Sequence, residues 1–190
     1  EPNQHPLARR KKLLDSYKVD LVVDVGANTG QYGTELREIG YNGKIISFEP
    51  LNIAFQTLKK ISINDGFWDI HNYGLGDRED VVTINIARNL YSSSILAMLP
   101  AHLKSAPNSR FVGEEEIVIK TLDSIFPEII KPTNNIYLKI DTQGFEKNVL
   151  KGAADSLQYI DSIQLEMSLV PLYEDELPFN EMFQLITDLG

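Results

Sequence analysis

Apolar residues follow two alternating patterns along this chain of 190 residues. Short, nearly continuous apolar runs are typical of strands buried on both faces, whereas apolar residues three or four positions apart are typical of helices. These patterns predict helices at 6–18, 31–40, 52–64, 144–152 and 179–189, and strands at 20–25, 44–49, 68–73, 81–86, 114–122, 135–141 and 161–167. Because strands alternate with helices, the sequence predicts an α/β fold: one domain over residues 1–190, with a doubly wound, mostly parallel sheet and helices on both faces.

Four segments qualify this picture. Residues 1–18 are expected to form a helical segment that leads into the first strand, and the alternation at 81–86 predicts an antiparallel strand. A single helical turn is expected at 122–126, before Pro127. Residues 88–113 carry serines, prolines and an asparagine in place of a regular pattern. A connection of this length is usually a functional lid or a disordered segment, so we expect it to lie beside a binding site.

The composition excludes several classes of function. A formal net charge of −9 argues against broad nucleic-acid binding, which needs a basic surface. No apolar run approaches the roughly 20 residues of a membrane span, so no membrane association is expected. The sequence has no cysteine, which excludes disulfides, thiolate zinc sites and cysteine nucleophiles and leads us to expect a cytoplasmic protein. Because the chain starts at Glu1 rather than Met and ends at Gly190 after a helical pattern, we expect it to be a fragment.

Acidic residues occur at or near the carboxyl ends of four predicted strands, namely Asp24, Glu49, Asp141 and Glu166. In open α/β sheets, ligands bind beyond the carboxyl ends of the strands, where the strand order reverses. Four acids at one edge of the sheet favour a cationic ligand over a polyphosphate.

The turn after the first strand contains two glycines. Gly26 and Gly30 enclose three residues, and glycine tolerates both a left-handed backbone and the close approach of a ligand. The two acids nearest this turn are 49 − 24 = 25 residues apart, close to the separation between a glycine turn and the acid that binds ribose hydroxyls. We therefore expect a nucleoside ligand, with its ribose on Glu49 and its other end in a cradle of Asp24, Gly26, Ala27, Asn28 and Gly30.

A nicotinamide dinucleotide is the first alternative. Its fingerprint is Gly-x-Gly-x-x-Gly, and this chain has Asn28 in the middle position. A phosphate-binding loop would need Gly-Lys-Ser/Thr, which is absent, and an acid directly before the turn repels a pyrophosphate. That acid suits an ammonium group, such as the one on the methionine part of S-adenosylmethionine. The pattern favours this methyl donor, and a nicotinamide-dependent oxidoreductase stays as the weaker alternative.

Seven segments occur in a fixed order across residues 19–170, at 24–30, 48–50, 72–77, 92–96, 138–146, 150–152 and 165–166. In these segments the chain resembles the FkbM-type methyltransferases, a family within the Rossmann-like, S-adenosylmethionine-dependent superfamily. The resemblance implies methyl transfer, usually to a hydroxyl of a sugar, polyketide or similar natural product. The expected partner is therefore a small-molecule or glycan acceptor, beside which residues 88–113 would lie. The identity of the acceptor and the oligomeric state stay open.

Two features depart from the family pattern. Many relatives carry Glu where Gln143 stands in this chain. Members of the superfamily usually end in a β-hairpin after the last helix, and we expect that hairpin to be missing here. Both departures leave open a non-catalytic nucleoside-binding module with the same fold.

The candidates for a base that accepts the proton of the hydroxyl are Asp141, Glu166 and His102. Asp141 ends a strand expected to lie beside the first one, so it should face both the sulfur of the donor and the incoming hydroxyl. Its alternative role is to cap the helix that begins near Gly144. The alternative for His102 is a solvated loop histidine.

The remaining expectations concern the adenine and one buried charge. Gly74 and Leu75 should line the adenine slot through backbone groups, with help from Asn72. Lys139 stands in an otherwise apolar strand, where a charge needs a partner, and Glu166 is a candidate. No metal is expected, because neither a His-x-x-x-His pattern nor a cluster of ligands occurs.

Overall fold

The computed structural model describes residues 6–131 and 135–189. Its helices are α1 (Pro6–Ser16), α2 (Gln31–Glu38), α3 (Asn52–Ser62), α4 (Pro100–Ser105), α5 (Leu122–Ile129), α6 (Glu146–Lys151) and α7 (Phe179–Leu189). Its strands are β1 (Leu21–Val25), β2 (Lys44–Phe48), β3 (Trp68–His71), β4 (Gly74–Leu75), β5 (Asp80–Ala87), β6 (Phe111–Lys120), β7 (Ile136–Ile140) and β8 (Ser162–Leu165). Two short 3₁₀ helices lie at Pro107–Ser109 and Leu157–Tyr159.

The main sheet has five parallel strands in the order β3-β2-β1-β7-β8. The chain passes outward from β1 through β2 to β3, and later returns to the centre with β7 before β8 reaches the other edge. The strand order therefore reverses between β1 and β7, which places the expected binding crevice at the carboxyl ends of these two strands.

Apolar side chains cover both faces of this sheet. On one face, Leu21 and Val23 of β1 belong to a core that includes Leu122 of α5, Val149 of α6 and Met182 of α7. On the other face, a second core contains residues of β1, α1, α2 and α3, among them Val22, Leu14, Leu36 and Leu58. Burying each such side chain contributes about 1.5–3 kcal/mol. The doubly wound α/β fold predicted from the sequence is confirmed.

A second, three-stranded sheet follows β3, in the order β4-β6-β5. Strands β5 and β6 are antiparallel, as the alternation at 81–86 predicted, but they do not join the main sheet. The chain leaves β3 at His71, so the predicted strand 68–73 ends early, and Gly74–Leu75 pairs with β6 instead. The inner face of this small sheet packs through Ile84 and Ile117 on residues around the start of α3.

The segment 88–113 has more regular structure than its sequence suggests. It contains α4, a 3₁₀ helix and the first residues of β6, so the expected irregular loop is wrong for much of its length. Ser94 forms an antiparallel bridge with Asn85, and Leu99 N donates a hydrogen bond to Leu172 O at 2.8 Å. These contacts attach the segment both to the small sheet and to the chain after β8.

Helix α5 is longer than the single turn predicted before Pro127. It begins after Thr121, whose side chain accepts a hydrogen bond from Ser124 N at 3.1 Å, and it continues through Pro127 to Ile129. Elsewhere, helix and strand bounds differ from the prediction by a few residues. Among the residues that the structure describes, no helix is long and apolar enough to cross a membrane.

Candidate active site

A cavity of about 290 Å³ opens at the carboxyl ends of β1 and β7, where the strand order reverses. One wall comes from the turn after β1 and the residues that follow β2. The opposite wall comes from the small sheet and the segment before α4, and the floor comes from the turns after β7 and β8. Of the residues expected from sequence, those that line the cavity are Gly26, Asn28, Glu49, Gly74, Leu75, Asp141 and Glu166.

The glycine turn after β1 is packed directly against the end of β7. Gly26 has φ of +78°, and a Cβ atom at this position would lie 1.9 Å from the carbonyl oxygen of Asp141. Both Gly26 N and Ala27 N donate hydrogen bonds to Phe48 O, at 3.1 and 3.0 Å. Glycine at position 26 therefore allows the two strand ends to meet below the cavity.

Ala27 and Gly30 do not line the cavity. The Ala27 side chain is buried in the core beneath α2. Gly30 begins α2 with φ of +91°, and a Cβ atom there would lie 2.9 Å from Leu58 Cδ1. The turn thus places Gly26 and Asn28 at the cavity, while Ala27 and Gly30 shape the turn from below.

Glu49 is buried at the rim between β2 and the glycine turn. Its Oε2 accepts a hydrogen bond from Asn28 N, and its Oε1 accepts one from Leu51 N, both at 2.8 Å. A carboxylate accepts about four hydrogen bonds, so each oxygen keeps one site free for a ligand hydroxyl. Burial raises the pKa of Glu49 to about 7, although these two backbone hydrogen bonds oppose the shift.

Asp24 does not reach the cavity, which corrects its expected contact with the ligand. Its side chain is fully buried, its Oδ1 lies 2.9 Å from Lys139 Nζ, and its Oδ2 accepts a hydrogen bond from Ser47 Oγ at 3.3 Å. Lys139 also donates to Gly26 O at 2.9 Å. The expected pairing of Lys139 with Glu166 is likewise wrong, because Asp24 is its close partner. The Asp24 side chain is therefore connected to the glycine turn through Lys139, which pairs with Asp24 and donates to Gly26 O.

Asn72 also lies outside the cavity wall. Its Nδ2 donates to Glu49 O and to Pro50 O, both at 3.0 Å. It therefore fixes the backbone that follows β2 and does not line the cavity, where it was expected to help form an adenine slot. Gly74 and Leu75 do line the cavity, at the start of the small sheet.

Asp141 and Glu166 face one another at the floor of the cavity. Gln143 Nε2 donates to Asp141 Oδ1 at 2.9 Å and to Glu166 Oε2 at 2.7 Å. Burial and the neighbouring Asp141 raise the pKa of Glu166 to about 8. Burial opposes ionisation of Asp141 too, but the Lys139 ammonium and nearby hydrogen-bond donors outweigh it and lower the pKa of Asp141. The pair therefore holds one proton near neutral pH, mainly on Glu166.

His102 lies away from these groups, contrary to its expected role as a base over the acceptor. It is buried in α4 with its ring edge-on to Tyr173, at 5.2 Å between ring centroids, and it does not line the cavity. Burial lowers the pKa of His102. Both interpretations from sequence, the base and the solvated loop histidine, are corrected by this placement.

Several lining residues were not found from the sequence. The apolar wall is made by residues of the small sheet and the segment before α4, among them Ile84, Leu90, Tyr91, Ile95, Ile117 and Ile119. The alternation in β5 and β6 identifies Ile84, Ile117 and Ile119 as an inner face, but nothing local indicates that this face meets the cavity. No group of three or more His, Asp or Glu side chains that could hold a metal occurs within 6–131 and 135–189.

Comparisons with known proteins identify the family of this chain. The family model described as the methyltransferase FkbM domain matches residues 24–190. The chain belongs to the FkbM methyltransferase family. Membership in this family supports a methyltransferase function. A search of the curated proteins found no match.

One solved structure of the family shares the fold. It is the crystal structure of methyltransferase FkbM from Methylobacillus flagellatus KT, with a TM-score of 0.56 and 16% sequence identity. The match covers 90% of this FkbM-family chain and 36% of that chain, so the present chain spans about a third of the length of its neighbour. At this identity the similarity shows a common fold.

Proposed function

We propose that this FkbM-family protein is an S-adenosylmethionine-dependent O-methyltransferase that acts on a hydroxyl of a sugar, polyketide or related natural product. The observation that carries the proposal is one cavity lined by two chemically distinct sets of groups. A glycine turn and Glu49 form one set, and the Asp141–Glu166 pair forms the other. The first suits a nucleoside, and the second suits a hydroxyl that must lose a proton.

The residues around the cavity fit the methyl donor. The volume of the cavity, about 290 Å³, lies near the lower limit for ligand pockets, which is roughly 300 Å³ in a range up to 1,000 Å³. Glu49 keeps one acceptor site on each oxygen, as two ribose hydroxyls require. Lys139 is buried against Asp24, so it does not offer its charge to a phosphate. When bound, S-adenosylmethionine supplies a methyl group on a positively charged sulfur, which the surrounding carboxylates favour.

The Asp141–Glu166 pair offers a base. Asp141 is 40% exposed at its side chain, lies at the end of β7 and is held ionised beside Lys139. A carboxylate in this state accepts the proton of a hydroxyl that is held in line with the methyl group. Glu166, which carries the proton of the pair, is hydrogen-bonded to Asp141 and also accepts from the Gln143 amide. We therefore assign Asp141 the role of proton acceptor and Glu166 the role of its partner.

Binding is the first test. Isothermal titration with S-adenosylhomocysteine should show one site, and Glu49→Gln should weaken binding by about 10–100-fold, the effect of losing a charged hydrogen-bond acceptor. Glu116→Gln, an exposed acid on β6, is the control and should bind as the wild type does. No binding by the wild-type protein would contradict the proposal, and tight binding of NAD would favour an oxidoreductase.

Methyl transfer is the second test. Sugars and polyketides with free hydroxyls are supplied together with S-adenosylmethionine labelled on its methyl group. Transfer to an acceptor should fall by about 10²–10⁴-fold in Asp141→Asn, as expected on removal of a general base. A wild-type protein that binds S-adenosylhomocysteine but methylates none of these acceptors would favour the non-catalytic module.

A further inference from the structure

The Gln143 side chain forms a bridge between two acids and a tyrosine. Its amide nitrogen donates to Asp141 Oδ1 at 2.9 Å and to Glu166 Oε2 at 2.7 Å. Its amide oxygen lies 3.0 Å from the hydroxyl of Tyr173, which donates to it. Both hydrogens of the amide nitrogen are thereby used, one on each carboxylate.

The two acids and Tyr173 together favour one orientation of the Gln143 amide. The Tyr173 ring is almost fully buried against His102, and its hydroxyl is placed to donate to either Gln143 Oε1 or Ser92 O, each at 3.0 Å. If the amide turned over, its oxygen would face two carboxylate oxygens and its nitrogen would face the hydroxyl. This loses both donations to the acids, so the observed orientation is the stable one.

The backbone under Gln143 is also held in place. Gln143 has φ of +56°, and its carbonyl oxygen accepts a hydrogen bond from Ser94 Oγ at 2.7 Å. On the other side of the turn, Glu146 Oε1 accepts from Thr142 N at 2.7 Å. The side chain is therefore fixed at its base by the turn and at its tip by Tyr173.

We propose that Gln143 is a positioning residue that holds Asp141 and Glu166 together at the floor of the cavity, with Tyr173 fixing the direction of its amide. The inference rests on the proposed function, because it concerns how that base is presented to an acceptor hydroxyl. Gln143 itself is not assigned a contact with the reacting atoms.

The charges around the pair explain why such a bridge is useful. Lys139 lies 3.8 Å from Asp141 Oδ2, whereas Glu146 of α6 adds a further buried acid on the side of Glu166. Two adjacent carboxylates repel each other once both are ionised, and a donor that serves both of them offsets this repulsion. Glutamate at position 143 could not do so when ionised, because its carboxylate only accepts hydrogen bonds.

Carboxyl ¹³C NMR of the full chain, titrated with pH, tests the bridge without an acceptor. Two interacting acids titrate as a pair, so the Asp141 resonance should show a second change near pH 8, where Glu166 titrates. Glu166→Gln removes the second titrating carboxyl group, so loss of the second change in this variant assigns that change to Glu166. In Gln143→Asn the side chain is shorter by about 1.5 Å and cannot reach both acids, so the second change should shrink by at least about half. Asparagine tolerates a positive φ, which keeps the turn intact.

Four further variants complete the design. Tyr173→Phe should also reduce the second change of the Asp141 resonance. The variant that combines Tyr173→Phe with Gln143→Asn should show little further reduction beyond that in Gln143→Asn alone. Gln158→Asn and Tyr159→Phe alter an exposed glutamine and an exposed tyrosine on the 3₁₀ helix after α6, and both should retain the wild-type titration. A full second change in Gln143→Asn would overturn the proposal, and a full second change in Tyr173→Phe would overturn the part assigned to the tyrosine.

The experiment distinguishes failure of the Gln143 bridge from failure of the proposed function. Titration of the wild-type protein with S-adenosylhomocysteine is done on the same sample. Absence of binding would contradict the proposed function, whereas the NMR titration reports on the bridge whether or not that ligand binds.

Discussion

Lys139 Nζ lies 2.9 Å from Asp24 Oδ1, and the two residues are direct neighbours in the register of β7 with β1. Both side chains are buried, and Lys139 also donates to Gly26 O at 2.9 Å. The ion pair therefore connects the centre of the sheet to the glycine turn below the cavity. Burial opposes the charge of Lys139, but Asp24 and Asp141 outweigh it and raise the pKa of Lys139.

Removing the ammonium should destabilise the fold strongly. In Lys139→Met the Asp24 carboxylate stays buried without its partner, so we expect the free energy of unfolding to fall by about 3–5 kcal/mol, measured by urea denaturation. Lys44→Met is the matched control. Lys44 forms an exposed pair with Asp69 at 2.8 Å, so its loss should cost only about 0–1 kcal/mol.

A second variant separates charge from packing at this pair. In Asp24→Asn combined with Lys139→Met the fully buried carboxylate that lost its partner is removed too, so the double variant should be more stable than Lys139→Met alone. Equal or lower stability of the double variant would show that the buried charge is not the cause.

A side chain at position 26 should disrupt both the turn and the binding of the ligand. Gly26→Ala places a Cβ atom 1.9 Å from Asp141 O on a backbone with φ of +78°, so the ends of β1 and β7 must separate. We expect a loss of at least about 2 kcal/mol in the free energy of unfolding and no measurable binding of S-adenosylhomocysteine.

Gly66→Ala is the control for this substitution, since nothing lies within 4 Å of a Cβ atom at that position. Its free energy of unfolding should stay within about 0.5 kcal/mol of the wild-type value. If Gly26→Ala bound the ligand as well as Gly66→Ala does, the turn would not belong to the binding site.

The sequence pattern was sufficient to predict the strands of the main sheet, but it did not predict which way every acid at the edge of the sheet points. Asp141 follows the last residue of β7, so its side chain is free to reach the cavity. Asp24 lies inside β1, where alternation places it on the same face as Val22, above the core formed with α2 and α3. The predicted end of this strand at residue 25 is confirmed, so the error concerns the face: Asp24 lies one position before the strand end, points into the sheet core and forms a buried ion pair in place of a ligand contact.

Other parts of the site depend on contacts between distant segments. Gly74–Leu75 is too short to be recognised as a strand, and it forms one because β6 is beside it. Tyr173 comes 30 residues after Gln143, and its segment has no periodic pattern that would indicate a contact with the turn. Such features arise from tertiary packing, which local patterns do not encode.

Glu49 should make the stability of the fold dependent on pH. Its pKa is about 7 in the folded protein, above its usual 4.5, so between these values the folded state keeps a proton that the unfolded chain releases. Stability should therefore fall as the pH rises through this window, by about 3 kcal/mol from this group alone. Urea denaturation at several pH values should show a smaller decline in Glu49→Gln.

The exposed acid Glu116 supplies the comparison for Glu49. Glu116→Gln should decline with pH as the wild type does, because water solvates this side chain in both states. An identical pH dependence in the wild type and in Glu49→Gln would mean that the pKa of Glu49 is not raised in the fold.

His102 should affect stability at acid pH and leave the cavity unchanged. Burial lowers its pKa below the usual 6.5, so on acidification the unfolded chain takes up a proton before the folded state does, and stability is lost as the pH falls through this range. His102→Phe keeps a ring against Tyr173 but has no titrating nitrogen. Between pH 7 and about pH 5, the variant should lose less stability than the wild type in urea denaturation. It should also bind S-adenosylhomocysteine with the wild-type affinity. A clear loss of binding would indicate that His102 contributes to the binding site.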